Sequence, residues 1–453
     1  MKRMVQLTIT LIIAVLAQVT FAISVPVHTV AKTTGVIPNP LKISIPVSAK
    51  VSWQELLELE RERRNEVSEP HRVAPIMPIP EQELISLGSH PTPADVLATQ
   101  VIGITTTAPP IVTSFLALGD NNTRIPPDTH GAAGPNHVMT MLNSQVRVQT
   151  RDGVHVSIVS LTTFWSSVGG SDVFDPRLIY DAGSGRWLAT CEADSRSDSS
   201  SVLFAISSTA DPTGAWAFYR IDADPTDVNW SDFPDIGYNV TWIAITSNMY
   251  TVASDDWSGN AMWVIDKSTA LAGGTLTITY FPVGSDNFGG YGGGTLRVCK
   301  TFGSEPKLYL VDRRWKVGGT HVLRLTEITG TAASPVWSAT PGSSIPGYPG
   351  TGWFYVINGF DWNLIDAAQL GTAVRVETND ARMLNAVYRN GRVWCTHHAG
   401  LPEGSPNRTA VFWYEINPAA MPTPIVQSGV IDGGYDVHHF YPSIAVNANN
   451  DVL

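Results

Sequence analysis

Short apolar runs, each closed by Gly, Pro, Asp or Ser, follow one another from about residue 111 to Leu453. The stretch Asp175–Ile221 shows the pattern plainly. Leu178–Tyr180, Trp187–Cys191, Val202–Ser207 and Trp216–Ile221 are rich in β-branched, aromatic or leucine residues, the composition of strands rather than helices. They predict one four-stranded antiparallel sheet. Before it, Asp128–Gly134, His137–Asn143, Gln145–Thr150 and Val154–Leu161 predict another, with Arg151-Asp152-Gly153 as a hairpin turn. Three more follow over 234–281, 296–340 and 383–430, and a Gly/Pro/aromatic insertion, Pro341–Asp380, separates the last two. A sixth unit starts at Tyr441 and stops in its second strand. Equivalent points near Pro176, Pro234, Leu296, Met383 and Pro442 lie about 60 residues apart, except across the insertion. A four-strand sheet repeated at this period marks a β-propeller. We therefore expect an all-β fold over 111–453, with six or seven blades in the full ring. A β-sandwich is the alternative, but it does not require the same order of strand and loop lengths in every unit. A ring that stops short leaves edge strands unpaired, so we expect the propeller to be truncated at its C-terminus.

The pattern before residue 111 is different. Lys2 and Arg3 precede an apolar run, Leu7–Val19, and Thr20-Phe21-Ala22 offers small residues at a cleavage point. That is the layout of a secretory signal over residues 1–22, and it predicts a secreted or cell-envelope protein. No other stretch approaches the roughly 18 apolar residues of a membrane span, so no transmembrane segment is expected in the mature chain. Residues 23–110 read as a Pro-rich linker or pro-segment with a helix near 52–66. Ser52 can cap that helix, with Glu55 three residues on; Trp53, Leu56, Leu57 and Leu59 give it an apolar side, and Glu60 and Arg64 are spaced as an ion pair.

Composition sharpens this picture at three points. With 43% hydrophobic and 15% charged residues, the 453-residue chain can bury a large core and is unlike a disordered one. Lys and Arg total 29 against 40 Asp and Glu. The basic run Arg61–Arg64 is interrupted by Glu62, so nucleic-acid binding is not expected. The three cysteines, Cys191, Cys299 and Cys395, fall in separate predicted strands and read as buried thiols, with a single disulfide as the alternative.

Five segments, IPPDTHGAAGPNHV (Ile125–Val138), DPRLIYDAGSGRW (Asp175–Trp187), SSTADPTGAW (Ser207–Trp216), DFPDIGYN (Asp232–Asn239) and YPSIAVN (Tyr441–Asn447), make the chain resemble a family of secreted bacterial sialidase-like β-propellers. The resemblance covers most of Ile125–Leu453. It implies the propeller fold; the family's activity is mostly unknown. True sialidases are similar only in part. They carry an arginine triad, a Tyr–Glu pair, an acidic acid/base residue and S-x-D-x-G-x-T-W boxes. Here Arg124-Ile125-Pro126 is similar to their early Arg-Ile-Pro element, whereas Asp181–Trp187 has the wrong spacing for a box and Ser254–Gly259 is no closer.

In a four-strand meander the second-to-third loops share a face with the loops that enter each first strand. The former are long and polar here, as in ADSRSDSSS and HHAGLPEGSPNR, and long loops on a rigid scaffold commonly bind. The entry loops add Asp128 and His130, Asp175 and Arg177, Asp232 and Asp235, and His438 and His439. With Trp257 and Trp315 nearby, this set suits a sugar or polar peptide: carboxylates take hydroxyls, arginine takes anions, and tryptophan stacks on apolar ring faces. Each also has a structural reading. Asp175-Pro176 and Asp211-Pro212 are ordinary turn starters, and Arg177 and Arg186 could pair with nearby turn carboxylates. The cofactor reading is none certain. A structural Ca²⁺ is the open alternative, on the hard oxygens of Asp222, Asp224 and Asp227. A transition metal would need His397-His398 and His438-His439, but neighbours in a strand point to opposite faces. The chain lacks G-x-S-x-G and H-E-x-x-H motifs, and the glycine run Gly289–Gly294 enters a strand rather than a helix.

Two functions compete. One is a non-catalytic module that binds a glycan or extracellular protein at the channel mouth. The other is a sialidase-like glycoside hydrolase using Asp128, Asp175 or Asp235, which needs two carboxyl groups about 5–5.5 Å apart for retention and further apart for inversion. A scaffold within a larger envelope protein is a third reading.

Overall fold

The computed structural model describes residues 40–63, 113–119, 121–169, 172–283, 291–292, 294–316, 320–339, 353–357, 360–361, 364–369, 371–420, 424–434 and 437–453. The expected signal sequence and its cleavage point lie outside these residues, as do most of 23–110 and much of the insertion.

Five antiparallel four-stranded sheets follow one another along the chain, and we number them as blades. Blade 1 is His130–Ala133, His137–Met141, Gln145–Thr150 and His155–Ser160. Blade 2 is Val173–Asp181, Arg186–Ala193, Ser201–Ser207 and Ala215–Asp222. Blade 3 is Asn229–Tyr238, Trp242–Thr251, Trp257–Asp266 and Leu276–Phe281. Blade 4 is Arg297–Val298, Leu308–Lys316, Thr320–Thr331 and Ser334–Ala339. Blade 5 is Met383–Arg389, Arg392–Leu401, Arg408–Ile416 and Ile425–Ile431.

The first strand of each blade lies against the first strand of the next, in chain order. Five inner strands stacked side by side in this way are the inner wall of a β-propeller; two face-to-face sheets would not produce them. The core confirms the arrangement, because its clusters sit between successive blades. Ile243, Ile245 and Trp263 of blade 3 pack with Leu188, Phe204 and Ile206 of blade 2. Trp242, Ala244 and Met262, on the opposite face of the same sheet, pack with Leu308, Leu310 and Ile328 of blade 4. Both faces of a blade are therefore dry, which is why its strands read as continuous apolar runs rather than alternating ones. The segment after Tyr441 continues the series: Ile444 and Val446 pack on Val387 and Trp394 of blade 5.

Close approach of the inner strands demands glycine at one point. A methyl on Gly237 would stand 2.6 Å from the Cys299 carbonyl oxygen and 2.6 Å from Val298 Cγ1, where Tyr238 N–H donates to Cys299 at 3.2 Å. Gly237→Ala should cost about 1–3 kcal/mol in urea unfolding. An unchanged midpoint would show that blades 3 and 4 can move apart freely.

All three cysteines are free and buried, so the single-disulfide alternative is set aside. Within the segment read as a linker or pro-segment, two strands join the sheets. Leu41–Ile45 pairs with the outer strand of blade 3, and Ala49–Ser52 with the outer strand of blade 2. The helix runs over Trp53–Arg63 and starts with a capping box: Ser52 N–H donates to Glu55 at 2.7 Å and Glu55 N–H to Ser52 Oγ at 3.2 Å. Glu60 accepts from the Ser160 N–H and hydroxyl of blade 1, each at 2.9 Å; Arg64, its expected partner, is outside the described residues. Among these residues no helix is long and apolar enough to cross a membrane.

Candidate ligand site at the entry face

At the inner strands of blades 2 and 3, and again at the segment after blade 5, the chain takes the same backbone device. Asp175, Phe233 and Tyr441 each precede a proline and hold a positive φ, of 53°, 57° and 51°. Asp128, just before the first inner strand, has a φ of 43°. This region is uncommon for any side chain but glycine and is a genuine exception for bulky ones. In blades 2 and 3 the ladder register shifts at this point, between Phe174 and Arg177 and between Asp232 and Asp235. Asp175 is therefore the counterpart of Phe233, and Arg177 of Asp235. Strain repeated at one level of a scaffold is a reason to look there for function.

Asp128 and Asp175 lie close enough for the Asp175 carboxylate to act on Asp128. Asn143, itself 2% exposed, holds both: its amide donates to Asp128 Oδ2 at 2.5 Å, and its Oδ1 accepts the Asp175 N–H at 2.7 Å. Burial, followed by the neighbouring Asp175 carboxylate, pushes Asp128 up to about 8. Asp232, 1% exposed, is raised well above the usual range by burial and then by Asp175 and Glu192. Glu192 is pushed up to about 8 by burial, although the hydroxyls of Ser231 (2.5 Å) and Ser247 bond to it. These are carboxylic acids that keep their protons at neutral pH.

Asp235 behaves in the opposite way. Burial works against its charge, but Lys300 at 3.1 Å and Arg297 at 3.8 Å outweigh that and hold it below the usual range. It also accepts the Val298 N–H at 2.9 Å. Asp235 is thus committed within the wall of the ring. His130 is pushed down to about 3 by burial and by Arg177, and stays neutral; its Nδ1 accepts the Leu178 N–H at 3.1 Å.

Three guanidinium groups gather on the Phe233 ring, with Arg177, Arg297 and Arg382 at 5.0, 4.5 and 4.6 Å from its centre. Arg177 Nε donates to the Pro234 carbonyl at 2.9 Å. Arg297 Nε donates to the Met383 carbonyl at 2.9 Å, and burial lowers Arg297 to about 9. Arg382 forks onto Asp380 at 2.8 and 2.6 Å. Of the three, only Arg177 keeps appreciable exposure.

The structure thus brings together Asp128, His130, Asp175, Arg177 and Asp232 and places Asp235 beside them inside the wall. Trp257 packs half-buried against the cluster that holds Trp230 and Tyr250. Trp315 pairs with His321 in blade 4, and its side chain is outside the described residues. His398 is also structural: its Nδ1 accepts the Tyr441 N–H at 3.2 Å, and its Nε2 lies 2.7 Å from the Thr378 carbonyl. Arg124 pairs with Asp172 at 3.5 Å instead of joining Arg177. Asp181, in the box-like turn, binds Lys267 at 2.6 Å and accepts the Gly183 N–H. In the Asp222–Asp227 loop, the Asp224 carboxylate accepts from Thr226 and Asn229. Among the described residues no group of three His, Cys, Asp or Glu is arranged to hold a metal ion.

Asn143, Phe233, Arg297, Arg382 and Tyr441 are members of this face that sequence reasoning missed. Tyr441 is 49% exposed, and its ring lies edge-on to that of His398 at 5.3 Å. The available signal was positional: Phe233 and Tyr441 precede a proline, as Asp175 does.

No family model matches this sequence, and no curated protein matches it. Solved structures that resemble it include an endo-arabinanase from Bacillus licheniformis, at 12% identity over 72% of this chain and 96% of that one, with a TM-score of 0.31. An α-L-arabinanase of Cellvibrio cellulosa shares 9% identity over 69% of this chain and 98% of that one, with a TM-score of 0.33. An α-L-arabinofuranosidase of Podospora anserina shares 10% over 65% and 91%, with a TM-score of 0.32. Likenesses this low carry no argument about chemistry, and the fold rests on the order and packing of the strands.

Proposed function

We propose that this chain is an exported β-propeller that binds a glycan at its entry face, without breaking a bond. The observation that carries the reading is the contact between Asp128 and Asp175. Asn143 holds the Asp128 carboxyl and the Asp175 N–H together, so the two acids act as one polar unit, whereas glycoside cleavage uses two carboxyl groups held about 5 Å or more apart. Asp232 is buried and Asp235 is tied to Lys300, so Asp128 is the one half-exposed carboxyl of the four. A proton-holding Asp128 can both donate to and accept from sugar hydroxyls. Arg177 beside it adds a cationic donor, and the exposed Tyr441 ring offers an apolar surface at the same level.

Arg177→Ala should weaken glycan binding by about 10-fold or more, since a charge-assisted hydrogen bond contributes roughly 1.5–3 kcal/mol, and Asp128→Ala by about 2- to 10-fold, the loss of a neutral one worth roughly 0.5–1.5 kcal/mol. A glycan array, followed by titration of the best hit, measures this; circular dichroism checks the fold. Unchanged affinity in both folded variants removes the site. Turnover of fluorogenic glycosides that disappears in Asp128→Asn would instead establish the hydrolase reading, which the raised Asp128 would suit as a general acid.

A further inference from the structure

The arm Leu41–Arg63 meets the propeller as a ligand meets a receptor. Blades 2 and 3 are complete four-stranded sheets without it, and its two strands are added only to their outer edges. Main-chain pairing runs from Leu41–Tyr280 to Ile45–Leu276, and from Ser52–Ala215 to Ala49–Phe218. Ile43, Ile45 and Val47 pack on the core between blades 2 and 3, while Val51 packs on the core between blades 1 and 2. The helix then supplies the anchors. Trp53 is 2% exposed and Leu56 fully buried. The Trp53 ring lies 6.1 Å from Phe164, and its Nε1 donates to Ser157 Oγ at 2.5 Å. Edge addition of a strand supplies affinity through the main chain and specificity through side-chain pockets, and a buried tryptophan is a typical anchor.

We propose that the outer rim of blades 1–3 is a peptide-binding site, and that its occupant is the chain's own segment Leu41–Arg63, held non-covalently and separable from the propeller. The class of ligand it takes is an extended apolar strand, a proline bend, a second short strand and a capped helix that opens on tryptophan. This is independent of what binds at the entry face.

The test uses the full chain with a specific protease site inserted after Gly88, within the residues that join arm and propeller. After cutting, the arm should co-elute with the propeller at micromolar concentration. A fluorescent peptide spanning 41–63 should then replace it, raising the peptide's anisotropy, with the propeller's circular dichroism unchanged. The same peptide carrying Trp53→Ala should compete at least tenfold less well, and one carrying Glu58→Ala about equally. An arm that leaves on cutting, a peptide that never exchanges, or equal competition by the Trp53 variant each overturns the proposal.

Discussion

Asp312→Asn should be among the most damaging single changes in this protein, lowering its stability by about 3–5 kcal/mol at neutral pH. Asp312 is fully buried in blade 4. It accepts from Arg324 Nε at 2.5 Å and Nη2 at 2.6 Å, and from Arg314 Nε at 2.6 Å. The amide cannot supply the negative charge that both buried guanidinium groups face. The pH dependence identifies the cause. Burial opposes the Asp312 charge, but Arg314 and Arg324 outweigh it and hold the carboxyl below its ordinary value of 3.8. Its contribution is therefore complete above that value and is lost as pH falls through the lower, folded one. Denaturant melts should show a gap between parent and variant that is full at pH 7 and narrows in strong acid. A gap of under 1 kcal/mol at pH 7 would mean that the arginines are neutralised in some other way.

Glu192→Gln should do the reverse and stabilise the protein in alkali. Glu192 keeps its proton to about 8 in the folded chain, mainly through burial, against an ordinary 4.5. The folded state thus holds a proton that the unfolded state releases between those values. The stability from this group is complete below 4.5 and is lost as pH rises through about 8, at up to about 1.4 kcal/mol per pH unit. Glutamine preserves the shape and can both donate to and accept from Ser231 and Ser247 without ever ionising. Parent and variant should melt together near pH 5, with the variant ahead at pH 9. A difference independent of pH would show that Glu192 is ionised in the fold. Asp128 and Asp232 are shifted in the same direction, so alkali should still weaken the variant to some degree.

The blades were legible because their middle strands are dry on both sides. Runs such as Trp242–Ile245 and Leu203–Ile206 have no other economical explanation, and Asp, Gly and Pro mark their ends. The charged interior of blade 4 was not legible. Asp312-Arg313-Arg314 reads as a solvent-facing loop, and only the pairing of Asp312 with Arg324 on the next strand makes burial tolerable. The arm was hidden for a related reason. Leu41–Ile45 alternates as a strand should, but nothing local says that it pairs with Leu276–Tyr280. At the entry face, reading by charge singled out Asp128, Asp175 and Arg177, which stand together. It put Asp235 at the mouth and passed over Phe233 and Tyr441, because the bulge, not the residue type, decides which side chain faces the opening.

That bulge has a consequence for how such a protein can change. Asp175, Phe233 and Tyr441 share one backbone shape but have an acid, a hydrocarbon ring and a phenol as side chains. The shape goes with the following proline in all three, and it leaves the side chain unspecified. The face is therefore built of interchangeable sockets, held by blades whose own packing lies deeper. Side chains can be exchanged there one at a time, while stability depends on positions such as Gly237 and Asp312, which lie in the packed strands.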